Sequence, residues 1–264
     1  MAGRNAADDA GSVPKRKVEA LSKGLEILGL FNETRTSLKM KEIAELTGIP
    51  LPTVFRLLAT LQIDGFIERR LDRAYQPGLA VLTLGTAAAR SSTLVQVCER
   101  PLQELADLTG ETVNLGVLLG DQVLHIARIR NTDLLAANIQ VGSMLPAVHT
   151  SMGKVLLSSL DDEELAEHVR PASFQQASGP NAVANIRDLG AQLAEIRLQG
   201  YAIQDEELAV GLRSVAAPIH GESGKVVAAI NIAVSSSRYT TQDLRGQLLT
   251  DLLSTTSLIS ERLK

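Results

Sequence analysis

The chain has 264 residues, 45% of them hydrophobic and 21% charged, which is enough for two modest globular domains with separate cores. Its single cysteine, Cys98, excludes a disulfide within the chain and suits a reducing compartment, and we expect a half-buried thiol there. Aromatic residues make up only 3%, which argues against binding of single-stranded nucleic acid by base stacking.

The charge is unevenly distributed along the chain. The formal net charge is -4, yet residues 1–76 hold 12 Lys and Arg against 10 Asp and Glu, and the remaining residues hold 14 against 20. A basic head on an acidic body is the distribution expected of a DNA-binding protein with a second, non-DNA domain. No apolar run has the length of a membrane span and no signal-peptide core is present, so we expect a cytoplasmic protein.

The N-terminal segment, 1–17, has no hydrophobic periodicity and is predicted to be a disordered arm. It ends in Lys15, Arg16 and Lys17, which are either a solvated charge run or a basic arm that reaches DNA. An amphipathic helix is predicted over 18–31, with an apolar stripe toward the core formed by Leu21, Leu25, Leu28 and Phe31.

Residues 38–78 have the pattern of a helix-turn-helix followed by a hairpin. A short helix is predicted over 39–46, a turn over 47–50, and a second helix over 52–63. The second helix directs apolar residues to one side and presents small or hydrogen-bonding residues on the other, which suits a DNA major groove. The residues of that outward face are Thr53, Arg56, Ala59 and Thr60.

The hairpin is predicted from strands at 66–70 and 75–78. It carries Arg69, Arg70 and Arg73 close together, which suits contact with DNA phosphates. These features favour a winged helix-turn-helix over the alternative, a helical hairpin that only packs in a core.

Helices at 79–89 and 93–108 are predicted to connect the head to the rest of the chain and to contact a second copy. Two-fold symmetry is expected because one head makes too few contacts for useful specificity. Beyond residue 110 we predict an α+β domain with a sheet of about six mostly antiparallel strands. The predicted strands cover 112–119, 122–129, 134–141, 201–208, 214–219 and 226–234, and the predicted helices start near 151, near 161, at 185 and at 241, the last one running to 263.

Several long motifs in this order resemble the IclR-type transcriptional regulators from about residue 18 to the C-terminus. They are VEALSKGLEIL (18–28), EIAELTGIPLPTVFRLLATL (42–61), GFIERRLDRAYQPG (65–78), HTSMGKVLLSSL (149–160), GYAIQDEELAVGLRSVAAPI (200–219) and GKVVAAINIAV (224–234). Within that family, TSMGKVLL is similar to members that control aromatic-acid and β-ketoadipate catabolism.

The resemblance implies a winged helix-turn-helix head joined by a helical linker to a GAF-like effector-binding domain, in dimers that often pair into tetramers. The implied boundaries are 1–17 for the arm, 18–78 for the head, 79–109 for the linker and 110–264 for the effector domain. Thr53 and Arg56 stand where the family's recognition helix meets DNA. The implied pocket residues are Ser151, Met152, Gln204, Asp205, Ser214, Asn231 and Ala233.

The sequence departs from the family pattern at both sites. Leu51-Pro52 replaces a frequent Lys-Ser, and Phe55 replaces a residue that is often polar, so we expect Phe55 to turn into the core and alter base preference. Some members have a carboxylate in place of Gln204, Cys in place of Ser214, and Ser in place of Asn231 and Ala233. The effector of another member therefore does not transfer to this chain.

The helix start at Ser151-Met152-Gly153 presents backbone N–H groups that attract carboxylates. With neutral hydrogen bonds from Ser214 and Asn231, this arrangement predicts binding of a small organic acid, possibly with an aromatic ring. His149 lies beside this motif and either contacts the effector or bonds to a loop. Arg213 is expected to pair with Asp205 or Glu206.

Ser151 and Lys154 also match the Ser-x-x-Lys pair of penicillin-binding enzymes, but the companion motifs are missing. The four histidines lack metal-ligand spacing, and no phosphate-binding glycine loop occurs, so neither an enzyme nor a cofactor is expected. The leading interpretation is a transcription factor that binds double-stranded operator DNA and a small carboxylate. The alternative is a metabolite sensor or small hydrolase with a vestigial head.

Overall fold

The computed structural model describes residues 17–32, 35–130, 139–175 and 179–264. The chain divides into two compact units, Met1–Ala88 and Ala89–Lys264. Lys15 and Arg16 of the predicted basic arm lie outside the described residues, whereas Lys17 is described and exposed.

The first unit contains a helix-turn-helix followed by a two-stranded antiparallel hairpin. Its elements are α1 (Glu19–Gly29), α2 (Met40–Thr47), α3 (Leu51–Ile63), β1 (Ile67–Arg69), β2 (Tyr75–Pro77) and the start of α4 (Ala80–Ser91). Gly48 ends α2 in the left-handed region at φ 68°, where glycine carries no steric cost. The axes of α2 and α3 differ by 115°, within the range of DNA-binding helix pairs.

No single helix in the described ranges has the length and apolar character needed to span a membrane. The pair α2 and α3 meets that composition test only when the two are taken together across their bend.

The core of the first unit is formed by the inner faces of α1, α2, α3 and the hairpin. Its fully buried residues include Ile27, Ile43, Val54 and Leu58. The predicted core stripe of α1 is therefore wrong in part, because Leu21 and Leu25 are 61% and 59% exposed. The apolar surface of α1 is wider than the surface that α2 and α3 cover.

Phe55 does not turn into the core as predicted, and 58% of it is exposed. Val54 and Leu58 already occupy the buried face of α3, and Phe55 is rotated about 100° from Val54 around the helix. This aromatic side chain therefore adds to the outer surface of the second helix.

The second unit is a six-stranded antiparallel sheet with helices on both faces. Its strands are β3 (Thr112–Leu119), β4 (Gln122–Ile129), β5 (Met144–Pro146), β6 (Ala202–Asp205), β7 (Leu212–His220) and β8 (Val226–Ser235), in the spatial order β5-β4-β3-β8-β7-β6. Its helices are α5 (Thr93–Thr109), α6 (Ser151–Ser158), α7 (Asp162–His168), α8 (Ile186–Gln199), α9 (Thr241–Leu244) and α10 (Gln247–Arg262).

Alternating side chains divide this unit into two layers of core. Helices α5 and α10 cover one face, where Leu102 of α5 packs in one cluster with Val215 and Ile230 of the sheet. Helices α6 and α8 cover the other with Met152, Leu157 and Leu193. Small or polar residues of β3, β7 and β8 lie under the start of α6.

Most of the strand predicted at 134–141 lies outside the described residues, and 139–141 are not in a strand. Two other predictions about this unit need correction. The strand predicted to end at Leu208 ends at Asp205, because Glu206 has a positive φ of 50°. The predicted last helix is two helices, since the backbone of Gly246 interrupts it.

Cys98 is fully buried in α5, rather than half-buried as predicted. It packs with Leu102 and the other residues of the α5–α10 layer. Burial raises the pKa of its thiol to about 12, so the group stays protonated.

Candidate functional site

The start of α6 is fixed by the turn that precedes it. Thr150 accepts a hydrogen bond from the Gly153 N–H at 3.0 Å, which caps the helix. A side chain at Gly153 would place its Cβ 2.1 Å from the Ala147 carbonyl oxygen, so only glycine permits this close approach. The N–H groups of Ser151 and Met152, in the first turn, have no acceptor within the helix.

This helix start lies against the central strands of the sheet. The hydroxyl oxygens of Ser151 and Ser214 are 2.7 Å apart, which connects α6 directly to β7. Gln204, opposite Ser214 on β6, accepts hydrogen bonds from the N–H groups of Glu207 (2.8 Å) and Leu208 (3.1 Å). Its amide nitrogen then faces the Ser214 hydroxyl at 3.4 Å.

Asn231 and Ala233 lie on β8, on the same face as Ser214. Ala233 is directly opposite Ser214, and Asn231 is two pairs further along the strand, opposite Ala216. The Asn231 side-chain oxygen accepts a hydrogen bond from Asn114 of β3 at 2.7 Å, and both asparagines are buried. The structure thus brings together seven of the eight predicted effector residues: Ser151, Met152, Gly153, Gln204, Ser214, Asn231 and Ala233.

Asp205 is not part of this group. Its carboxylate pairs with Arg213, with 2.5 Å between Oδ1 and Nε, as predicted for a structural ion pair. Arg213 also donates to the carbonyl oxygens of Ser236 and Tyr239. Successive residues of a strand point to opposite faces, so Asp205 lies on the far side of the sheet from Gln204.

A buried ion pair borders the site, and sequence reasoning missed it. Lys154 Nζ lies 2.5 Å from both carboxylate oxygens of Glu207. Burial lowers the pKa of Lys154 and raises that of Glu207, while their mutual attraction opposes both shifts. Ser151 and Lys154 do have the Ser-x-x-Lys spacing, but Lys154 is paired with the carboxylate of Glu207.

His149 is fully buried in the 3₁₀ turn Ala147–His149 before α6. Neither ring nitrogen makes a hydrogen bond of good geometry within the described part of the chain, although a backbone group of Phe174 interacts with the ring and opposes the lowering of its pKa. The ring packs edge-on against Phe174, with centroids 6.5 Å apart. Burial lowers the pKa of His149, which favours the neutral ring.

The candidate DNA-binding surface comprises the outer face of α3 and the hairpin. Arg56 and Thr60 are exposed and Thr53 is half-buried. The Thr60 hydroxyl donates to the Arg56 carbonyl oxygen at 3.2 Å, so its hydrogen is used within α3. Phe55 is exposed next to Arg56, which adds an apolar group to this polar surface.

The hairpin presents three exposed arginines near its turn. Arg69 lies over the Tyr75 ring, with the guanidinium carbon 6.0 Å from the centroid. Arg70 donates to Gln76 at 3.2 Å. Arg73 occupies the turn with a φ of 65°, a conformation that non-glycine residues seldom adopt.

No group of three or more His, Cys, Asp or Glu side chains in the described ranges is placed to hold a metal ion. The site consists of a buried helix start over hydroxyl and amide groups of the sheet, a set of neutral donors suited to an anion.

The comparisons with known proteins cover both units. The IclR helix-turn-helix domain matches residues 20–71, and the Bacterial transcriptional regulator IclR C-terminal domain matches 86–261. The chain is 35% identical to the Pca regulon regulatory protein of Pseudomonas putida over 235 residues, which are 89% of this chain and 80% of that protein. It is 31% identical to the HTH-type transcriptional repressor AllR of Escherichia coli K12 over 245 residues, which are 92% and 90% of the two chains.

A solved structure of similar fold is an IclR homologue of Microbacterium hydrocarbonoxydans, complexed with 4-hydroxybenzoate. The TM-score is 0.71 at 23% identity, and the match covers 92% of this chain and 98% of that one. The two family models together span most of the sequence, in the order of the two units. The chain belongs to the IclR family of bacterial transcriptional regulators.

Proposed function

We propose that this protein binds a pseudo-palindromic operator as a symmetric oligomer and changes its DNA affinity when a small organic acid binds at the start of α6. The observation that carries the proposal is the 2.7 Å contact between Ser151 and Ser214. This contact holds the N–H groups of the helix start, which have no acceptor within the helix, against hydroxyl and amide groups of the sheet. A carboxylate placed there would accept hydrogen bonds from both sets of groups. The 4-hydroxybenzoate complex of a structural relative supports an aromatic acid as the ligand class.

The DNA side of the proposal assigns α3 to the major groove. Thr53 and Arg56 would contact base edges or flanking phosphates, and Thr60 would contribute packing at the groove wall. Arg69, Arg70 and Arg73 of the hairpin would hold the backbone or enter the minor groove. Lys17 and the preceding Lys15 and Arg16 would reach phosphates beside the half-site.

An apolar groove on the first unit supports a dimer. It has a volume of about 590 Å³ and lies between α1, α3 and α4. Its lining includes Leu21, Leu25, Leu28, Leu61, Val81 and Leu84. Helix α4 buries none of its own residues, and within the described part of the chain its Leu82 and Leu84 are 65% and 59% exposed. We assign the groove to α4 of a second copy, in a two-fold arrangement that would pair the heads. Pairs of dimers would form the tetramer.

The ligand would act by preferring one arrangement of the linked heads. A ligand shifts such an equilibrium only as far as its affinities for the two arrangements differ. The connector helices, 79–109, are the segment through which binding in the second unit would alter head spacing. The AllR repressor among the relatives supports repression as the output, released or strengthened by the acid.

The contacts of Ser151 and Lys154 support binding rather than catalysis. Acylation by a Ser-x-x-Lys pair needs a basic group free to take the serine proton. Here both carboxylate oxygens of Glu207 hold Lys154, and the serine hydroxyl contacts Ser214.

The test measures operator binding and acid binding on the same preparation. Fluorescence anisotropy with the gene's own upstream DNA is expected to give a specific complex whose affinity changes with 4-hydroxybenzoate or another small acid from a panel. Calorimetry on the full chain is expected to detect the acid without DNA. A lack of specific DNA binding, with or without acids, would favour the metabolite sensor. Turnover of esters or amides that is lost in Ser151→Ala would favour the hydrolase.

A further inference from the structure

A row of hydrogen-bonded side chains crosses three neighbouring strands beneath the start of α6. Asn114 on β3 is directly opposite Arg128 on β4 and Asn231 on β8. Arg128 Nη1 donates to Asn114 Oδ1 at 2.9 Å, and Asn114 Nδ2 donates to Asn231 Oδ1 at 2.7 Å. Neither Arg128 nor Asn114 was among the residues expected from the sequence.

We infer that Arg128 and Asn114 are positioning residues that fix which end of the Asn231 amide meets the effector, and so make the site select for an anionic oxygen. The inference rests on the proposed function and names two residues that determine its ligand class. A guanidinium has only donors, so Asn114 must turn its oxygen to Arg128 and its nitrogen to Asn231. Asn231 must then present its oxygen to Asn114, which leaves its own NH₂ group directed away from the row.

The remaining NH₂ group of Asn231 lies where a ligand at the start of α6 would be. On one side, Ser151 contacts Ser214, whose strand partner Ala233 is two residues from Asn231. On the other side, Met152 lies over Gly116, two residues from Asn114, because a Cβ there would be 3.1 Å from Met152 Cε. The first turn of α6 therefore passes over the row that contains Asn231, which is itself only 7% exposed.

The positive charge of Arg128 also favours an anionic acceptor at the Asn231 amide. Arg128 is half-buried and donates to the neutral Asn114 rather than to a carboxylate. Its burial and the nearby charge of Arg130 both lower the pKa of Arg128. A positive group at one end of a hydrogen-bonded chain strengthens the donor at the other end. Asn231 thus offers a polarised N–H to an acceptor such as a carboxylate oxygen.

The experiment measures a selectivity ratio by calorimetry. The two probes are 4-hydroxybenzoate and 4-hydroxybenzamide, which differ in the anionic group and not in the ring. Wild type is expected to prefer the acid. Arg128→Met and Asn114→Leu are each expected to reduce that preference about tenfold, since the amide of Asn231 can then rotate. Loss of structure alone would weaken both probes equally and leave the ratio unchanged.

Arg130→Met is the matched control, because it removes the same charge two residues away, just after the end of β4, and leaves the bond to Asn114. It is expected to keep the preference within about threefold, as is Arg128→Lys, which remains donor-only. An equal fall in Arg130→Met would mean that net charge alone sets selectivity and would overturn the inference. Acid preference that survives in both Arg128→Met and Asn114→Leu would also overturn the inference. The proposed function would stand in that case, because the wild type still binds the acid. If the wild type binds neither these probes nor other small acids, the proposed function itself fails.

Discussion

Lys154 and Glu207 form an ion pair that is almost fully buried, with 2% and 7% of the two side chains exposed. The lysine belongs to the first turn of α6, and the glutamate follows β6, where its own N–H bonds to Gln204. The pair therefore ties the helix start to the strand segment on the other side of the proposed ligand site.

Removing one member of the pair is expected to destabilise the second unit strongly. Lys154→Met leaves the Glu207 carboxylate buried without a counter-charge, which costs about 3–5 kcal/mol in the free energy of unfolding. The double change Lys154→Met with Glu207→Leu should recover most of that loss, because no charge is then buried. Urea unfolding of the three proteins measures both effects. A Lys154→Met protein as stable as wild type would mean that the pair carries no structural role.

Arg56→Ala is expected to weaken operator binding more than binding to random DNA. A side chain that reads base edges contributes about 1–3 kcal/mol of discrimination, whereas a phosphate contact weakens all sequences alike. Anisotropy titrations on the operator and on a scrambled duplex provide the measurement. Arg187→Ala, an exposed arginine on α8, serves as the matched loss of charge and should alter neither. Equal losses on the two duplexes would assign Arg56 to the backbone.

The hairpin arginines are expected to set the salt dependence of DNA binding. Arg73→Asn removes one charge at the turn while keeping a residue type that tolerates its positive φ. The slope of log K against log salt should fall by about 0.9 for each phosphate that the protein no longer neutralises. Arg69→Gln should have the same effect, and the double variant should add the two. An unchanged slope in the double variant would place the hairpin away from DNA.

Leu84→Glu should disrupt the proposed pairing of heads. The side chain is 59% exposed in one chain and lines the apolar groove, so its burial against a second copy would be opposed by the introduced charge. Analytical ultracentrifugation should show a smaller oligomer than wild type, a dimer in place of a tetramer or a monomer in place of a dimer. Operator affinity should fall with this loss of assembly. Leu198→Glu, on α8 and 91% exposed, is the control for an exposed leucine outside the groove. An unaltered assembly in Leu84→Glu would contradict the assignment of the groove.

Cys98 should make stability fall at alkaline pH. The folded-state pKa is about 12 against an ordinary value of 9.0, so below pH 9 the thiol is protonated in both states and its contribution is fully present. Above pH 9 the unfolded chain ionises first, and unfolding becomes easier by about 1.4 kcal/mol per pH unit until the folded pKa is reached. Urea unfolding of wild type and Cys98→Val between pH 8 and 10.5 isolates the thiol. Parallel pH profiles would show that the cysteine does not contribute.

Local sequence patterns predicted correctly those elements whose ends are determined by nearby residues. Both β3 and β4 begin and end at the predicted residues, because alternating side chains and the Gly120-Asp121 turn define them. The winged helix-turn-helix and the α+β class with its antiparallel sheet are confirmed in the same way. The prediction of one long final helix was wrong. The apolar pattern continues through Gly246, but the backbone of Gly246 is not helical and separates α9 from α10.

Tertiary contacts explain what sequence reasoning missed at the site. Nothing in the spacing of Asn114, Arg128 and Asn231 indicates that they are neighbours, since this follows only from the register of three strands. The partner of Lys154 lies 53 residues away in sequence. The exposure of Leu21 and Leu25 likewise depends on how much of α1 the neighbouring helices cover.

Gly153 has a consequence for how ligand specificity can change by mutation. A methyl group there would collide with the backbone of Ala147, so the helix start that faces a carboxylate tolerates no side chain at this position. Gln204 and Ala233, on strands beneath the helix start, already carry side chains, so a substitution there changes the size of a side chain and not the approach of two backbones. Directed evolution of this protein toward new inducers should therefore retain the acid end of the ligand and vary the remainder of the molecule.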